Sequence, residues 1–185
     1  MYTYKKIEQI ANDVLINYSL MKAPVDLNKL AKKLKIIIEP QDLSDDISGF
    51  LLKKDNKTII GLNKNHPEVR KRFTISHEIG HYKLHNVESP LFVDYFYRGS
   101  MLRTKESEKI YRSNHKSNNP LMEKQANFFA ASILMPRKLI QDEIEKLNDN
   151  LTYDDKLYRL SDIFQVSTQA MDYRLKALGY YDYGF

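Results

Sequence analysis

Residues 77–81 read His-Glu-Ile-Gly-His, and this pentad restricts the fold more than anything else in the chain. Side chains four apart share one face of an α-helix, with Cβ atoms about 5–6 Å apart. His77 and His81 can therefore converge on one metal ion, at about 2.0–2.1 Å per nitrogen, if the segment is helical. Glu78 is turned by about 100° from His77. It can flank the ion without ligating it and act as a base. A catalytic zinc takes a third protein ligand and keeps one position open. The chain has no Cys, so that ligand has to be an imidazole or a carboxylate.

Two residues compete for the third position. His85 stands two turns from His77, about 12 Å along the axis at 1.5 Å per residue, too far to share an ion with both histidines. It reads as a last-turn histidine favoured by the helix dipole, and its removal is expected to leave metal binding little changed. The second candidate is Glu123, at the start of a predicted helix. Ala126, Ala130 and Ala131 on that helix are small enough to let another helix come close. Glu123 and Asn127 are at i and i+4 and share a face. Glu123 can supply the carboxylate, and Asn127 can accept a hydrogen bond from the outer N–H of a ligating imidazole. Taken alone, Glu123 would also be explained as a first-turn acid at a helix N-terminus.

Around this site the hydrophobic period sets the rest of the chain. Ile7, Ile10, Ala11, Val14, Leu15 and Tyr18 follow helical spacing and predict a first helix over about 4–21. Asp26 can cap a second helix holding Leu27, Leu30, Ala31 and Leu34. Ile36-Ile37-Ile38, then residues 47–52 and 58–62, read as about three short strands, with 53–57 as a hairpin loop. A long helix starts near Pro67 and runs to about Leu84. Residues 86–119 read as irregular, too long for a plain connection and therefore a flap or insert. Helices resume at about 121–134, 136–147, 154–165 and 168–178. The expected architecture is α+β: a mostly helical single domain over residues 1–185 with a small sheet.

His77-Glu78-Ile79-Gly80-His81 with Leu84-His85, followed by Glu123-x-x-Ala126-Asn127 and Leu134-Met135-Pro136, resembles the ImmA/IrrE family of metallopeptidases over roughly residues 5–178. The resemblance implies two metal-bearing helices packed against a small sheet. It implies His77, His81 and Glu123 as ligands to one Zn²⁺ (or Mn²⁺), and Glu78 as the base. It also implies a protein substrate, a helix-turn-helix repressor. The oxyanion formed during hydrolysis needs a donor, for which Tyr95, Tyr97, Tyr111 and His115 in the flap are all candidates.

The C-terminal stretch opens a rival reading. Leu160 to Gly179 follows a helix-turn-helix pattern, with Phe164, Val166, Met171 and Leu175 at apolar positions, Ser167 as a cap and Gly179 as a stop. Gln165 stands where the turn ordinarily wants Gly. The second helix sets Asp172 against Arg174 and Lys176, a poor balance for phosphate binding. Packing or a protein partner is thus favoured over DNA contact. The alternative function is a DNA- or partner-binding regulator with a structural metal. A structural zinc is normally closed by four protein ligands, and three candidates beside a glutamate base favour the enzyme.

Composition excludes other classes. Hydrophobic residues make up 42% and charged residues 29%, which is globular usage rather than disorder. No apolar run reaches the about 18 residues of a membrane span. The first residues lack a signal-peptide pattern, and the expected location is the cytoplasm, with no membrane partner. The net charge of +5 permits nucleic-acid contact without requiring it.

Overall fold

The computed structural model describes residues 2–85, 91–95, 119–148 and 150–180. Among them the chain forms seven helices and one four-stranded sheet. Helix α1 (Tyr4–Asn17) is capped by Thr3, whose hydroxyl accepts from Lys6 N, and buries Ile7, Ala11, Val14 and Leu15. Helix α2 (Leu27–Lys33) is capped by Asp26 and buries Leu27, Leu30 and Ala31. Both match the predicted apolar faces. α1 stops earlier than its periodicity suggests, because Ser19 takes a left-handed φ of 56°. Leu20 N then bonds Leu15 O at 2.8 Å and Ser19 N bonds Ile16 O at 3.0 Å. This is the Schellman closure usually made by glycine.

The sheet has the order β1-β3-β2-β4. β1 (Ile36–Gln41) runs parallel to β3 (Lys57–Asn63), and β2 (Ile47–Lys54) is antiparallel to β3. The β2–β3 turn is only Asp55-Asn56, with φ of 50° and 61°, the positive pair that a tight two-residue hairpin demands. The fourth strand, β4 (Leu91–Tyr95), pairs antiparallel with β2. It lies inside the segment read as irregular, so that reading is corrected for these residues. Leu91-Phe92-Val93-Asp94-Tyr95 is rich in strand-favouring residue types. The remainder of the expected flap, with Tyr97, Tyr111 and His115, lies outside the described residues. Of Tyr95 only the pairing with Ile47 is described.

Helix α3 (Glu68–Leu84) crosses the middle of the molecule, and every residue from Thr74 to His81 is buried. Few helices bury all faces, and fewer do so with Ser76, His77, Glu78 and His81 among the buried residues. Helix α4 (Pro120–Leu134) packs along it, capped by Asn119 with Pro120 in its first turn. The two approach most closely at Gly80. A Cβ on Gly80 would stand 3.1 Å from Ala126 Cα, 3.2 Å from Ala126 O and 3.2 Å from Phe129 Cδ1. Ile79, Phe129, Ala130 and Ile133 fill the core beside that crossing.

Helices α5 (Arg137–Ile144), α6 (Tyr153–Phe164) and α7 (Thr168–Leu178) complete the fold. The helix-turn-helix pattern between α6 and α7 is formed despite its missing glycine. Gln165 itself adopts the left-handed conformation, φ 52° and ψ 54°, and Val166 N closes onto Ser161 O at 3.0 Å. Leu160, Phe164, Met171 and Leu175 are all buried in the common core. Arg174 is buried too. Its Nη2 donates to Glu8 Oε1 at 2.7 Å and its Nε to Met135 O at 3.0 Å, joining α7 to α1 and to the end of α4. An arginine so placed cannot reach a phosphate.

Removing one partner of a buried ion pair leaves the other charge uncompensated, at a cost of about 3–5 kcal/mol. Arg174→Ala should therefore lower the melting temperature sharply. Arg174→Met with Glu8→Leu, which removes both charges, should recover much of the loss. Equal stability of wild type and Arg174→Ala in urea titrations would show that the pair does not hold α7 in place.

Candidate metal centre

The Gly80–Ala126 crossing sets Glu123 of α4 opposite His77 and His81 of α3. Glu123 Oε2 lies 3.3 Å from His77 Nε2, and Oε1 lies 3.5 Å from His81 Nε2. The two Nε2 atoms are 2.9 Å apart. One ligand atom from each residue falls within 4.8 Å of the others, a grouping able to hold a metal ion.

The protonation of these groups suits a cation. Burial pushes the His81 imidazole down to about 4, so it is neutral near pH 7. Burial alone would raise Glu123, but the neighbouring His77 and His81 outweigh it and hold its carboxyl at about 2, so it is ionised. Asn127 Oδ1 lies 2.8 Å from His77 Nδ1 and accepts its proton. A neutral His77 protonated at Nδ1 has a bare lone pair at Nε2. Two imidazole nitrogens and a carboxylate facing one point fit a divalent ion such as Zn²⁺.

Sequence reasoning nominated His77, His81, Glu123 and Asn127, and the structure brings all four together. Glu78 follows His77 on the same turn and is fully buried. His85 is no third ligand: its Nδ1 lies 3.2 Å from His81 Nδ1, on the side of that ring away from Glu123's contact with Nε2. It is not a plain last-turn histidine either, because its Nε2 lies 3.0 Å from Gln125 Oε1. Gln125 went unnoticed in the sequence. The available signal was a third histidine at a further i+4 step, and a glutamine between Glu123 and Asn127.

His77, Glu123 and Asn127 face a cleft of about 520 Å³. One wall carries Ser48, at the irregularity where β2 shifts register, and Arg70, whose Nη2 donates to Ser48 Oγ at 3.0 Å. The opposite wall is the start of α7: Val166, Ser167, Gln169 and Ala170. Val69 and Val166 also line an adjoining groove of about 1030 Å³ between α2, α3 and α6. The helix-turn-helix segment, read as a packing element or a DNA reader, is thus also a wall of the metal cleft.

Comparison with known proteins agrees with this geometry. A peptidase family model described as the IrrE N-terminal-like domain matches residues 31–176. Among curated proteins none matches the sequence. A solved structure titled a Mycobacterium tuberculosis transcriptional regulator superposes with a TM-score of 0.57 at 14% identity, over 93% of this chain and 46% of that one. At that identity the likeness is one of fold, and this chain spans less than half of that structure's length.

Purified protein should carry about one divalent ion per chain. Elemental analysis should find it lost from the His77→Ala/His81→Ala variant and depleted in Glu123→Ala. Gly80→Val drives γ-methyls into the α4 backbone and should cost about 1–3 kcal/mol of stability. The same variant should bind metal more weakly, since it moves Glu123 away from the histidines. Undiminished metal in the double-histidine variant would refute the site.

Proposed function

Because the chain belongs to the peptidase family of the IrrE N-terminal-like domain, we propose that it is a zinc-dependent endopeptidase that cleaves a regulatory protein, a helix-turn-helix repressor. It would act as one metallopeptidase domain across residues 1–185, in the cytoplasm. No helix among the described residues is long and apolar enough to cross a membrane, which agrees with that location. The observation that carries the proposal is the convergence of His77, His81 and Glu123 at an open cleft, one residue from the buried Glu78.

The chain's own groups divide the work. His77, His81 and Glu123 would hold the ion, with Asn127 fixing the orientation of the His77 ring. A divalent ion held there supplies Lewis acidity, bringing the pKa of a bound water towards about 7 and polarising a carbonyl. Glu78 is the proton carrier: it accepts the proton of the attacking water and passes it to the amine nitrogen of the leaving segment. Val69 and Val166 line both this cleft and the neighbouring larger groove. That supports an extended polypeptide rather than a single terminal residue as substrate. The regulator title of the structural neighbour supports a regulatory setting.

The regulator with a structural metal is the weaker reading. Arg174 is engaged with Glu8 and Lys176 with Asp172, so both cations of α7 are already paired within the protein. Cleavage is the decisive test. Glu78→Gln keeps size but cannot take the proton, so metal content and melting should hold while cleavage of the repressor falls about 10²-fold or more. Undiminished cleavage would remove Glu78 from this role. Ala170→Trp should narrow the cleft and raise KM for a protein substrate with metal content unchanged. Unaltered KM would place the substrate elsewhere.

A further inference from the structure

His81 has two ring nitrogens, and only an unprotonated Nε2 can ligate a metal facing His77 and Glu123. In water the neutral imidazole favours the opposite tautomer, with its proton on Nε2. His77 is held in the required form by Asn127, whose oxygen accepts from Nδ1. His81 Nδ1 has a neighbour of another kind. It meets another imidazole, His85 Nδ1, at 3.2 Å, and two facing ring nitrogens do not by themselves say which one donates.

The direction is decided further out. Gln125 Nε2 donates to the backbone carbonyl of Tyr2 at 2.8 Å. A carbonyl oxygen only accepts, so the amide cannot be turned round without setting oxygen against oxygen. Gln125 Oε1 must then face His85 Nε2, at 3.0 Å, and Oε1 also only accepts. His85 therefore carries its proton on Nε2 and offers the lone pair of Nδ1 to His81. His81 Nδ1 in turn donates, and its Nε2 is left bare. A neutral imidazole, the ordinary form above about pH 6.5, can accept in this way.

We propose that His85 and Gln125 are positioning residues for the metal: anchored on the Tyr2 carbonyl, they fix His81 in the Nδ1–H tautomer and aim its Nε2 lone pair at the site. The proposal rests on the metal reading of His77, His81 and Glu123, not on the identity of the substrate. It reverses the expectation that removing His85 leaves metal binding little changed. The chain also gives α4 a double duty. Its residues 123, 125 and 127 supply one ligand and, directly or through His85, the outer partner of each histidine.

Three variants and one spectroscopic measurement test it. His85→Phe keeps a ring of similar size but accepts nothing at that point. His85→Gln restores an acceptor oxygen. Gln125→Leu removes the acceptor that orients His85. Zinc affinity, measured by competition with a chromophoric chelator, should fall about 10–100-fold in His85→Phe and in Gln125→Leu. It should recover substantially in His85→Gln, while circular dichroism of the metal-free proteins shows the fold retained. Long-range ¹H–¹⁵N correlation on the metal-free wild type should show His81 protonated at Nδ1 and His85 at Nε2. In His85→Phe, His81 should shift towards the Nε2–H form. A wild type with His81 protonated at Nε2, or a folded His85→Phe that binds zinc as tightly as wild type, would overturn the proposal. A wild type that takes up no zinc would end the metal reading and this inference together.

Discussion

The site depends on how closely two helix backbones approach at Gly80 and Ala126. With a Cβ at Gly80 only 3.1 Å from Ala126 Cα, any larger residue would force α4 outward by an amount comparable to a hydrogen bond's tolerance. Glu123 sits one turn before Ala126 and Asn127 just after it, so that approach sets both at once. Gliding α4 by one residue would move each of its side chains by about 1.5 Å and turn it by about 100°. Glu123 would lose the histidines, Asn127 would lose His77 and Gln125 would lose His85 in the same step. The neighbouring Phe129, Ala130 and Ile133 are fully buried, and their packing against α3 holds this register.

The polar interior of α3 follows from the same contact. A helix wrapped on all sides ordinarily carries apolar residues, because a buried polar group without partners costs several kcal/mol. Here Ser76, His77, Glu78 and His81 are inside. His77 Nδ1 meets Asn127 of α4 and His81 Nδ1 meets His85, while their Nε2 atoms face each other and Glu123. The burial that makes this arrangement costly also keeps His81 neutral and ready to ligate. A centre of this kind has to be assembled by tertiary packing, since α3 alone presents two histidines and nothing to balance them.

That division explains what could be read in the sequence. The pentad, Glu123 and Asn127 were legible because helix geometry fixes which residues share a face, and Ala126, Ala130 and Ala131 announced a close approach, though not that Gly80 would be its other side. The apolar faces of α1 and α2 were legible by their period, and the strands were legible over 36–38, 47–52 and 58–62, shorter than the observed Ile36–Gln41, Ile47–Lys54 and Lys57–Asn63. Less visible were features carried by backbone conformation. Ser19 and Gln165 end their helices in the left-handed region, and neither is the glycine that would have marked the stop. β4 was hidden because its Phe92, Val93 and Tyr95, the strand-favouring residues, sit in a stretch with no regular period. The roles of His85 and Gln125 were hidden because they depend on the Tyr2 carbonyl, 123 positions from Gln125 in sequence, and no local pattern encodes that contact.

The C-terminal helices show why a pattern can be correct and its customary use absent. The helix-turn-helix signature reports a packing solution: apolar residues at Phe164, Val166, Met171 and Leu175, a tight left-handed turn and a capped second helix. DNA reading asks for something further, cationic side chains and base-reading groups on a solvent face of that second helix. In this chain Arg174 faces inward to Glu8, and Lys176 lies 2.9 Å from Asp172 on the same helix. Ser167, Gln169 and Ala170, at the start of the second helix, border the cleft beside His77 and Glu123. The same local fold thereby forms one side of the cleft at the candidate metal centre. The placement of α7 against the rest of the core is set by the buried Met171 and Leu175 and by the Arg174 ion pair.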